Sequence, residues 1–259
     1  MFDSHCHLAF DVFEGRIEEV VASAKAAGVA GMITVTTTTG NARDNLAIAE
    51  RFENVWCSAG VHPLHSDEER DWSGLRAVAE HSKCVAFGEL GLDNHYDKPP
   101  RAVQDRVLEE QLATLERWKR EGLVKPIILH CRKAYAELIA ILRGTSFDPA
   151  RFVFHCFSGN PEEARLILDF GSWISFTGIV TFRNAPEVAE AAKIVPLDRM
   201  MVETDAPFLS PEPMRKVWPC EPKFVVHTAA RIAALRGMDP IEFEARVDEN
   251  TRRFFGVEF

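Results

Sequence analysis

The sequence predicts a single (β/α)8 barrel that spans residues 1–259 as one domain. Strand-like and helix-like segments alternate along the whole chain, which indicates βαβ units and a parallel sheet. Eight segments are strand-like, and 259 residues is close to the usual length of such a barrel. An open doubly wound sheet is the alternative, but its dinucleotide-binding form needs a glycine-rich turn where this chain has HCHLAF.

The predicted strands are apolar segments rich in residues that favour β-structure. In chain order they are MFDSHCHL, GMITVTTTT, VWCSAGVHP, CVAFGELGLD, PIILHC, RFVFHCFSG, SWISFTG and RMMVETDAPF. The helix-like segments between them include EGRIEEVVASAKAAG, NARDNLAIAERF, RAVQDRVLEEQLATLERWKREG, RKAYAELIAILRG and PEEARLILDFG. Several end in glycine, as helix C-termini often do. The tail adds two further helices, KFVVHTAARIAALRG and PIEFEARVDENTRRFF.

The composition excludes several classes of protein. Hydrophobic content of 46% and charged content of 27% are ordinary globular values, so disorder is not expected. A net charge of -9 argues against a protein that coats nucleic acid, although it is compatible with a local basic patch. The six cysteines form no CxxC pair, so no disulfide framework is expected. The chain lacks a long apolar run and a signal-peptide pattern, so we expect a cytoplasmic monomer without membrane association.

Histidines and carboxylates lie where the predicted strands end, and (β/α)8 barrels carry their chemistry at the C-terminal ends of strands. In chain order these residues are His5, His7, His62, His65, Glu89, Asp93, His130, His155, Glu203 and Asp205. Side chains alternate across a strand, so His5 and His7 share one face and Cys6 lies on the other. The same alternation predicts that Cys131 and Cys156 face the outer helices and pack there.

A group of these side chains is predicted to bind metal. One strand histidine alone is more often a hydrogen-bonded core residue, but several imidazoles and carboxylates at one barrel mouth are not explained by packing. Together they form a ligand set for zinc, manganese or a similar divalent ion. There are enough ligands for two ions, which a bridging carboxylate would hold about 3.5–4 Å apart. The predicted ligands are His5, His7, Glu89, His130, His155 and Asp205.

Other polar residues near the predicted mouth are expected to support the ligands or to contact substrate. Asp3 and Glu203 lie on the ligand-bearing faces of the first and last strands, one step deeper, and are expected to support the ligands. His62 and His65 follow the third strand and either contact substrate or are ordinary loop residues.

Basic and aromatic loop residues at the same end of the barrel suit a phosphate-bearing substrate. Arg132 and Arg183 are predicted to bind it, and the neighbouring cations are Lys133, Arg215, Lys216 and Lys223. Each alone is typical of a solvated surface, and only their shared location favours a binding role. The aromatic residues, which either stack on a base or pack in the core, are Phe157, Phe182, Phe208 and Trp218. We therefore expect substrate affinity to fall with added salt.

Six blocks of the chain match, in order, the conserved blocks of one enzyme family. They are DSHCHL, GVHP, GELGLD, ILHCR, FHCFSG and ETDAPFLSP. Over essentially its whole length the chain resembles the TatD family of metal-dependent hydrolases, within the amidohydrolase-like barrels. One departure follows the last block, where the family usually has an RNEP-like segment. Here the chain reads WPCEP, with Cys220 in place of asparagine.

The resemblance implies two metal sites that share Glu89 as a bridging ligand, so that no carboxylated lysine is required. His5, His7 and Asp205 would complete one site, and His130 and His155 the other. It also implies a deoxyribonuclease that removes nucleotides from DNA 3′ ends with magnesium or another divalent ion. Some relatives are assigned to the removal of D-amino acids from tRNA.

The leading hypothesis is a 3′–5′ exodeoxyribonuclease in which Asp205 and Glu89 are catalytic. Water bound between the ions would attack phosphorus, and Asp205 would accept its proton. The alternative keeps the metals but cleaves a carbonyl ester or amide, in a D-aminoacyl-tRNA or a small lactone or amide, and the fold does not decide between them. The third hypothesis is a non-catalytic metal-binding or partner-binding protein, which no heptad seam or apolar patch favours.

Overall fold

Eight parallel strands surround the barrel axis in chain order, in a computed structural model that describes residues 1–259. This confirms the predicted fold class. The strands are β1 Phe2–Cys6, β2 Gly31–Thr34, β3 Val55–Ala59, β4 Cys84–Asp93, β5 Ile127–Arg132, β6 Phe152–Phe154, β7 Trp173–Phe176 and β8 Met200–Val202. A bridge between Cys6 and Ala206, just beyond β8, joins the first and last strands.

Nine α-helices follow or flank these strands. They are α1 Ile17–Ala26, α2 Ala42–Arg51, α3 Trp72–Ala79, α4 Arg101–Arg120, α5 Tyr135–Leu142, α6 Pro161–Phe170, α7 Pro186–Ile194, α8 Val225–Arg236 and α9 Pro240–Phe255. The predicted glycine ends are confirmed at Gly171 and Gly237, which cap α6 and α8 in the left-handed conformation, and Gly256, which was not among them, caps α9 in the same way. Helices α3 and α7 were not among the predicted segments. No helix combines the length and apolar character needed to cross a bilayer.

Apolar packing fills the space on both sides of the sheet. A cluster of 60 buried residues joins the strands to the surrounding helices. A second cluster of 10 residues joins side chains of β1, β2, β4, β5, β6, β7 and β8 to Phe255 and Val257 near the C-terminus. Because Phe2, at the start of β1, packs against Phe259 with ring centroids 4.4 Å apart, the C-terminal segment covers the N-terminal ends of the strands. Only the opposite end of the barrel is left for a site.

Candidate metal centre

The closure of the barrel brings the ends of β1 and β8 together. The Asp205 N–H donates to the His5 carbonyl at 2.9 Å, and the His7 N–H donates to the Ala206 carbonyl at 2.7 Å. The Asp205 carboxylate thereby comes close to both imidazoles, with Oδ1 3.7 Å from His5 Nε2 and 3.3 Å from His7 Nε2. Asp205 thus shares one group of donor atoms with His5 and His7, about 200 positions earlier in the sequence, because the barrel closes between them.

Glycines let β4 approach β5 closely enough to place Glu89 beside His130. Gly88 has φ +124°, and a Cβ there would lie 2.5 Å from the Ile128 carbonyl oxygen. Gly91 has φ +150°, and its Cβ would lie 1.9 Å from the His130 carbonyl oxygen. Both positions exclude a side chain, and the pairing register of β4 with β5 shifts between Phe87 and Leu90.

Glu89 lies at the centre of the polar cluster and is 2% exposed. Its Oε2 lies 2.7 Å from His155 Nε2 and 3.7 Å from both His5 Nε2 and His130 Nδ1, and its Oε1 lies 3.7 Å from His7 Nε2. No hydrogen bond of acceptable geometry reaches Oε2. A buried carboxylate oxygen without a hydrogen bond, facing ring nitrogens on several sides, is an arrangement that a bound cation would satisfy.

Hydrogen bonds on the outer side of the cluster determine which ring nitrogens face Glu89. His7 Nδ1 lies 3.1 Å from the Val35 carbonyl and must donate to it, so Nε2 carries the lone pair. His130 Nε2 lies 2.9 Å from Asp93 Oδ2, which leaves the Nδ1 lone pair directed inward. We assign these tautomers from the hydrogen-bond partners. Both inward nitrogens are then potential metal ligands.

The local electrostatics keep the central carboxylate ionised. Burial by itself would raise the pKa of Glu89, but the nearby imidazoles of His62, His155 and His5 lower it well below its ordinary value. Burial lowers the pKa of His5 well below its usual value, which favours the neutral, ligating form. The pKa of His155 is instead raised well above its usual value, because Glu89 and Glu203 outweigh its burial, so a cation bound there would displace its proton.

Three groups of side chains place potential ligand atoms within 4.8 Å of one another. They are His5, His7 and Asp205; His62, Glu89 and His130; and His5, His155 and Glu203. Imidazole nitrogen and carboxylate oxygen are the donors that zinc and manganese accept, so the donor set fits divalent cations. The second group includes Glu89, whose carboxylate oxygens also lie 3.7 Å from the Nε2 atoms of His5 and His7 in the first, an arrangement compatible with a pair of ions.

A cavity of about 430 Å³ opens beside this cluster. Its lining includes Glu89 and Asp205 together with residues from the strand ends and loops around the mouth: Phe10, His62, His65, Tyr96, Arg132 and Phe208. Its volume is typical of a ligand pocket. The cluster is therefore open to a substrate on one side and enclosed by the barrel on the other.

A family model described as TatD related DNase matches residues 2–256. The chain belongs to the TatD family. It is 38% identical to the uncharacterized metal-dependent hydrolase YcfH of Escherichia coli strain K12, over 100% of this chain and 96% of that one. It is 34% identical to the 3′-5′ ssDNA/RNA exonuclease TatD of Cronobacter sakazakii, over 98% of this chain and 97% of the relative. The crystal structure of the TatD homolog YjjV from Escherichia coli K12 superposes with a TM-score of 0.91 at 30% identity, covering 100% of this chain and 98% of that one.

Within this TatD-family chain, the residues predicted to contact substrate occupy different positions. His62 lines the cavity, and its Nδ1 accepts the Leu64 N–H at 2.9 Å, so Nε2 carries the proton, which faces His130 Nδ1 at 3.0 Å. His65 also lines the cavity, and its Nδ1 lies 2.5 Å from Glu68. Arg132 lines the cavity with its guanidinium over the Tyr96 ring. Arg183 is exposed and lies outside the lining residues.

Asp3 and Glu203 are buried below the ligand cluster and hold the backbone around it. Asp3 accepts hydrogen bonds from the backbone N–H and the hydroxyl of Thr204, next to Asp205, and burial raises its pKa to about 8. Glu203 Oε1 accepts the Cys156 N–H at 2.6 Å and lies 3.3 Å from His155 Nδ1. Both contacts fix the segments that carry the predicted ligands.

The prediction that Cys156 faces the outer helices is wrong. Strand β6 ends at Phe154, and Cys156 has φ +47°, so strand alternation does not apply to it. Its side chain is half-buried and lines the cavity. Cys6 is buried in the large apolar cluster, as predicted, and Cys131 is buried there too, although it also contributes to the cavity lining.

For two further residues, the structure shows contacts or burial that the sequence alone did not predict. Asp93 holds His130 by the contact to Nε2, and its place on β4, four residues after Glu89, was the available signal. Cys220, where the chain departs from the family pattern, is fully buried and packs in the core. It therefore does not contact a substrate at the mouth.

Proposed function

We propose that this chain is a metal-dependent phosphodiesterase that removes nucleotides from the 3′ ends of single-stranded nucleic acid. The observation that carries the proposal is the buried Glu89 carboxylate, with an oxygen that lacks a hydrogen bond and imidazole nitrogens on several sides. The relative named as a 3′-5′ ssDNA/RNA exonuclease supports the choice of substrate.

Two divalent ions, magnesium, manganese or zinc, would be held by the cluster around Glu89. His5, His7 and Asp205 would hold one, His130 and His155 the other, with Glu89 shared between them. When bound, such ions supply an activated water and neutralise charge on the phosphate oxygens. No lysine is needed among the ligands, because Glu89 already occupies the central position.

The residues at the cavity wall would orient the substrate and move its protons. Asp205 directs Oδ1 toward His5 and His7, which leaves Oδ2 to accept the proton of the attacking water. The N–H of His62 Nε2 faces His130 Nδ1 at 3.0 Å, so it would become available to a phosphate oxygen once that Nδ1 holds an ion. Arg132 forms no ion pair with a carboxylate, so its charge is available for the phosphate backbone.

The test is hydrolysis of a 5′-labelled single-stranded oligonucleotide by the Asp205→Asn variant in saturating Mn²⁺. Because the base and one ligand oxygen are both altered, we expect kcat to fall by about a thousandfold or more, with an unchanged melting temperature. The matched control is Asp44→Asn on the exposed surface of α2, which should retain full activity.

The same enzyme preparations should be offered an aminoacylated tRNA and a panel of lactones. Hydrolysis of a carbonyl substrate, with none of the oligonucleotide, would contradict the proposal while retaining the metal centre. Undiminished nuclease activity in Asp205→Asn would contradict the assignment of the base.

A further inference from the structure

Aromatic side chains form a continuous row from the metal cluster to the protein surface. The Phe10 ring stacks on the His7 imidazole with centroids 4.7 Å apart. The Phe208 ring lies 6.0 Å from Phe10, and Trp218 lies 6.0 Å from Phe208. Exposure rises outward, to 42% for Phe208 and 63% for Trp218. A row of this kind is unexpected unless something apolar covers it.

Hydrogen bonds hold the loop that carries the outer half of this row. The Phe208 N–H donates to the Asp205 carbonyl, and the Cys220 N–H donates to the Pro207 carbonyl, both at 2.9 Å. The Ser210 hydroxyl donates to the Val217 carbonyl at 2.6 Å. With Cys220 buried at the base of the loop, Trp218 is held in place although its ring faces solvent. The aromatic surface is therefore already formed before any ligand binds.

Cations without carboxylate partners lie in the loops around this row. Arg215 lies in the same loop as Trp218, with its guanidinium 4.0 Å above the Phe182 ring, and Lys216 follows it in sequence. Arg183 lies beside Phe182, and none of these three cations forms a salt bridge. In a chain of net charge -9, unpaired cations beside exposed aromatic rings complement a ligand that carries both phosphates and flat rings.

We propose that Phe10, Phe208 and Trp218 form a stacking platform for the bases of a single-stranded nucleic acid whose 3′ end lies at the metal cluster. The inference rests on the proposed function and adds the path of the strand, which leaves the cavity on the side of β1 and β8. Three side chains are too few for a stable dimer interface, which buries about 800 Å² on each partner. Stacking is sequence-tolerant, because every base has a π-face.

The decisive variant is Trp218→Ala, compared with Trp218→Phe and with Ile241→Ala, a change at the exposed Ile241 of α9 far from the mouth. Steady-state hydrolysis of an oligothymidine should show KM raised about tenfold in Trp218→Ala, with kcat changed less than about twofold. Trp218→Phe should recover most of the affinity. A strand of the same length with abasic residues before its 3′ end should not distinguish Trp218→Ala from the wild type.

Binding measured without turnover separates this inference from the proposed function. Trp218 is the one exposed tryptophan of the chain, so its fluorescence reports on the platform. In the Asp205→Asn protein, the oligothymidine should quench the emission, and Trp218→Ala in the same background should abolish the quenching. Quenching without hydrolysis by the wild type would leave the platform supported and the proposed function contradicted.

Three results would overturn the platform. The first is a KM for Trp218→Ala equal to that of Ile241→Ala, and the second is an equal effect of Trp218→Ala on the abasic strand. The third is a concentration-dependent dimer in sedimentation that Trp218→Ala abolishes while KM is unchanged, which would assign the row to contacts between copies of the chain.

Discussion

Single hydrogen bonds outside the cluster determine which atoms the histidines present to its centre. The carboxylate of Asp93 does this for His130, because Oδ2 accepts from Nε2 while Oδ1 accepts the backbone N–H of His95 at 2.7 Å. A contact of this kind fixes both the tautomer and the orientation of the imidazole ring.

Replacement of Asp93 by asparagine should weaken metal binding with little effect on the fold. Asparagine keeps the oxygen that accepts from His95 but turns an NH₂ group toward His130 Nε2, which then loses its acceptor. We expect the affinity for Mn²⁺ to fall about 10- to 100-fold, with the rate restored at high metal concentration. Titration of activity with Mn²⁺ measures this, with Asp105→Asn on the surface of α4 as the control. Equal Mn²⁺ requirements in the two variants would show that Asp93 does not position the ligand.

At the residue scale, the sequence predicted which side chains meet but not all of their orientations. The histidines and carboxylates at successive strand ends, and the alternation that puts His5 and His7 on one face of β1, were sufficient to predict that the candidate ligands meet at one mouth of the barrel. The orientation of Cys156 was missed because the backbone leaves the strand at Phe154. Local departures of this kind depend on contacts with distant strands, which no single segment contains.

Among the strands, β4 is under the tightest steric constraint, because it places Glu89 in the barrel mouth while its backbone pairs closely with β5. Its glycines make this possible, since a Cβ at Gly91 would overlap the His130 carbonyl oxygen. The sequence block GELGLD therefore combines two functions, a central carboxylate and the close backbone approach that positions it.

Gly91→Ala should destabilise the protein more than the substitution of a glycine that also has a positive φ but has open space around it. Gly122, after α4, has φ +91° and nothing within 4 Å of an added Cβ, so Gly122→Ala isolates the cost of backbone strain. We expect about 1 kcal/mol for Gly122→Ala and about 3 kcal/mol or more for Gly91→Ala. Urea unfolding of both variants provides the comparison. Equal destabilisation would indicate that crowding against β5 is relieved without cost.

The order of the strands and most of the helices could be predicted from the sequence, whereas the lengths of the strands could not. The segment RMMVETDAPF reads as one strand, but β8 stops at Val202. The Glu203 N–H still donates to the Phe176 carbonyl of β7, whereas the Thr204 N–H donates to the buried Asp3 carboxylate and the Asp205 N–H to the His5 carbonyl of β1. Polar residues with strand-like neighbours were thus assigned to strands when tertiary contacts place them in loops.

For the molecule as a whole, the buried cluster couples metal binding to stability. His5, His7 and His155 are buried around Glu89, and a bound cation satisfies this group in the folded state only. Chelation should lower the melting temperature by about 5–10 °C, because ligand at 100 times its Kd contributes about 2.7 kcal/mol. Calorimetry with EDTA, followed by excess Mn²⁺ to restore the transition, tests this. Identical transitions with and without EDTA would contradict a metal centre at Glu89.

The negative net charge of the chain and the cations at the barrel mouth together predict that substrate binding depends strongly on salt concentration. A chain of charge -9 must attract a polyanion through the cations at its mouth, so binding should weaken as these are screened. We expect KM for a single strand to rise about tenfold between 50 and 200 mM salt, with kcat nearly constant. A KM independent of salt would place the substrate contacts elsewhere.

In the proposed function, Glu89 organises a hydrolytic metal centre for single-stranded nucleic acid. The most direct measurement is the rate at which Glu89→Gln releases nucleotides from a 5′-labelled single strand in saturating Mn²⁺, relative to the wild type. Glutamine keeps the shape but removes the charge shared by both groups of ligands, so the rate should fall at least about a thousandfold. A rate within tenfold of the wild type would contradict the claim.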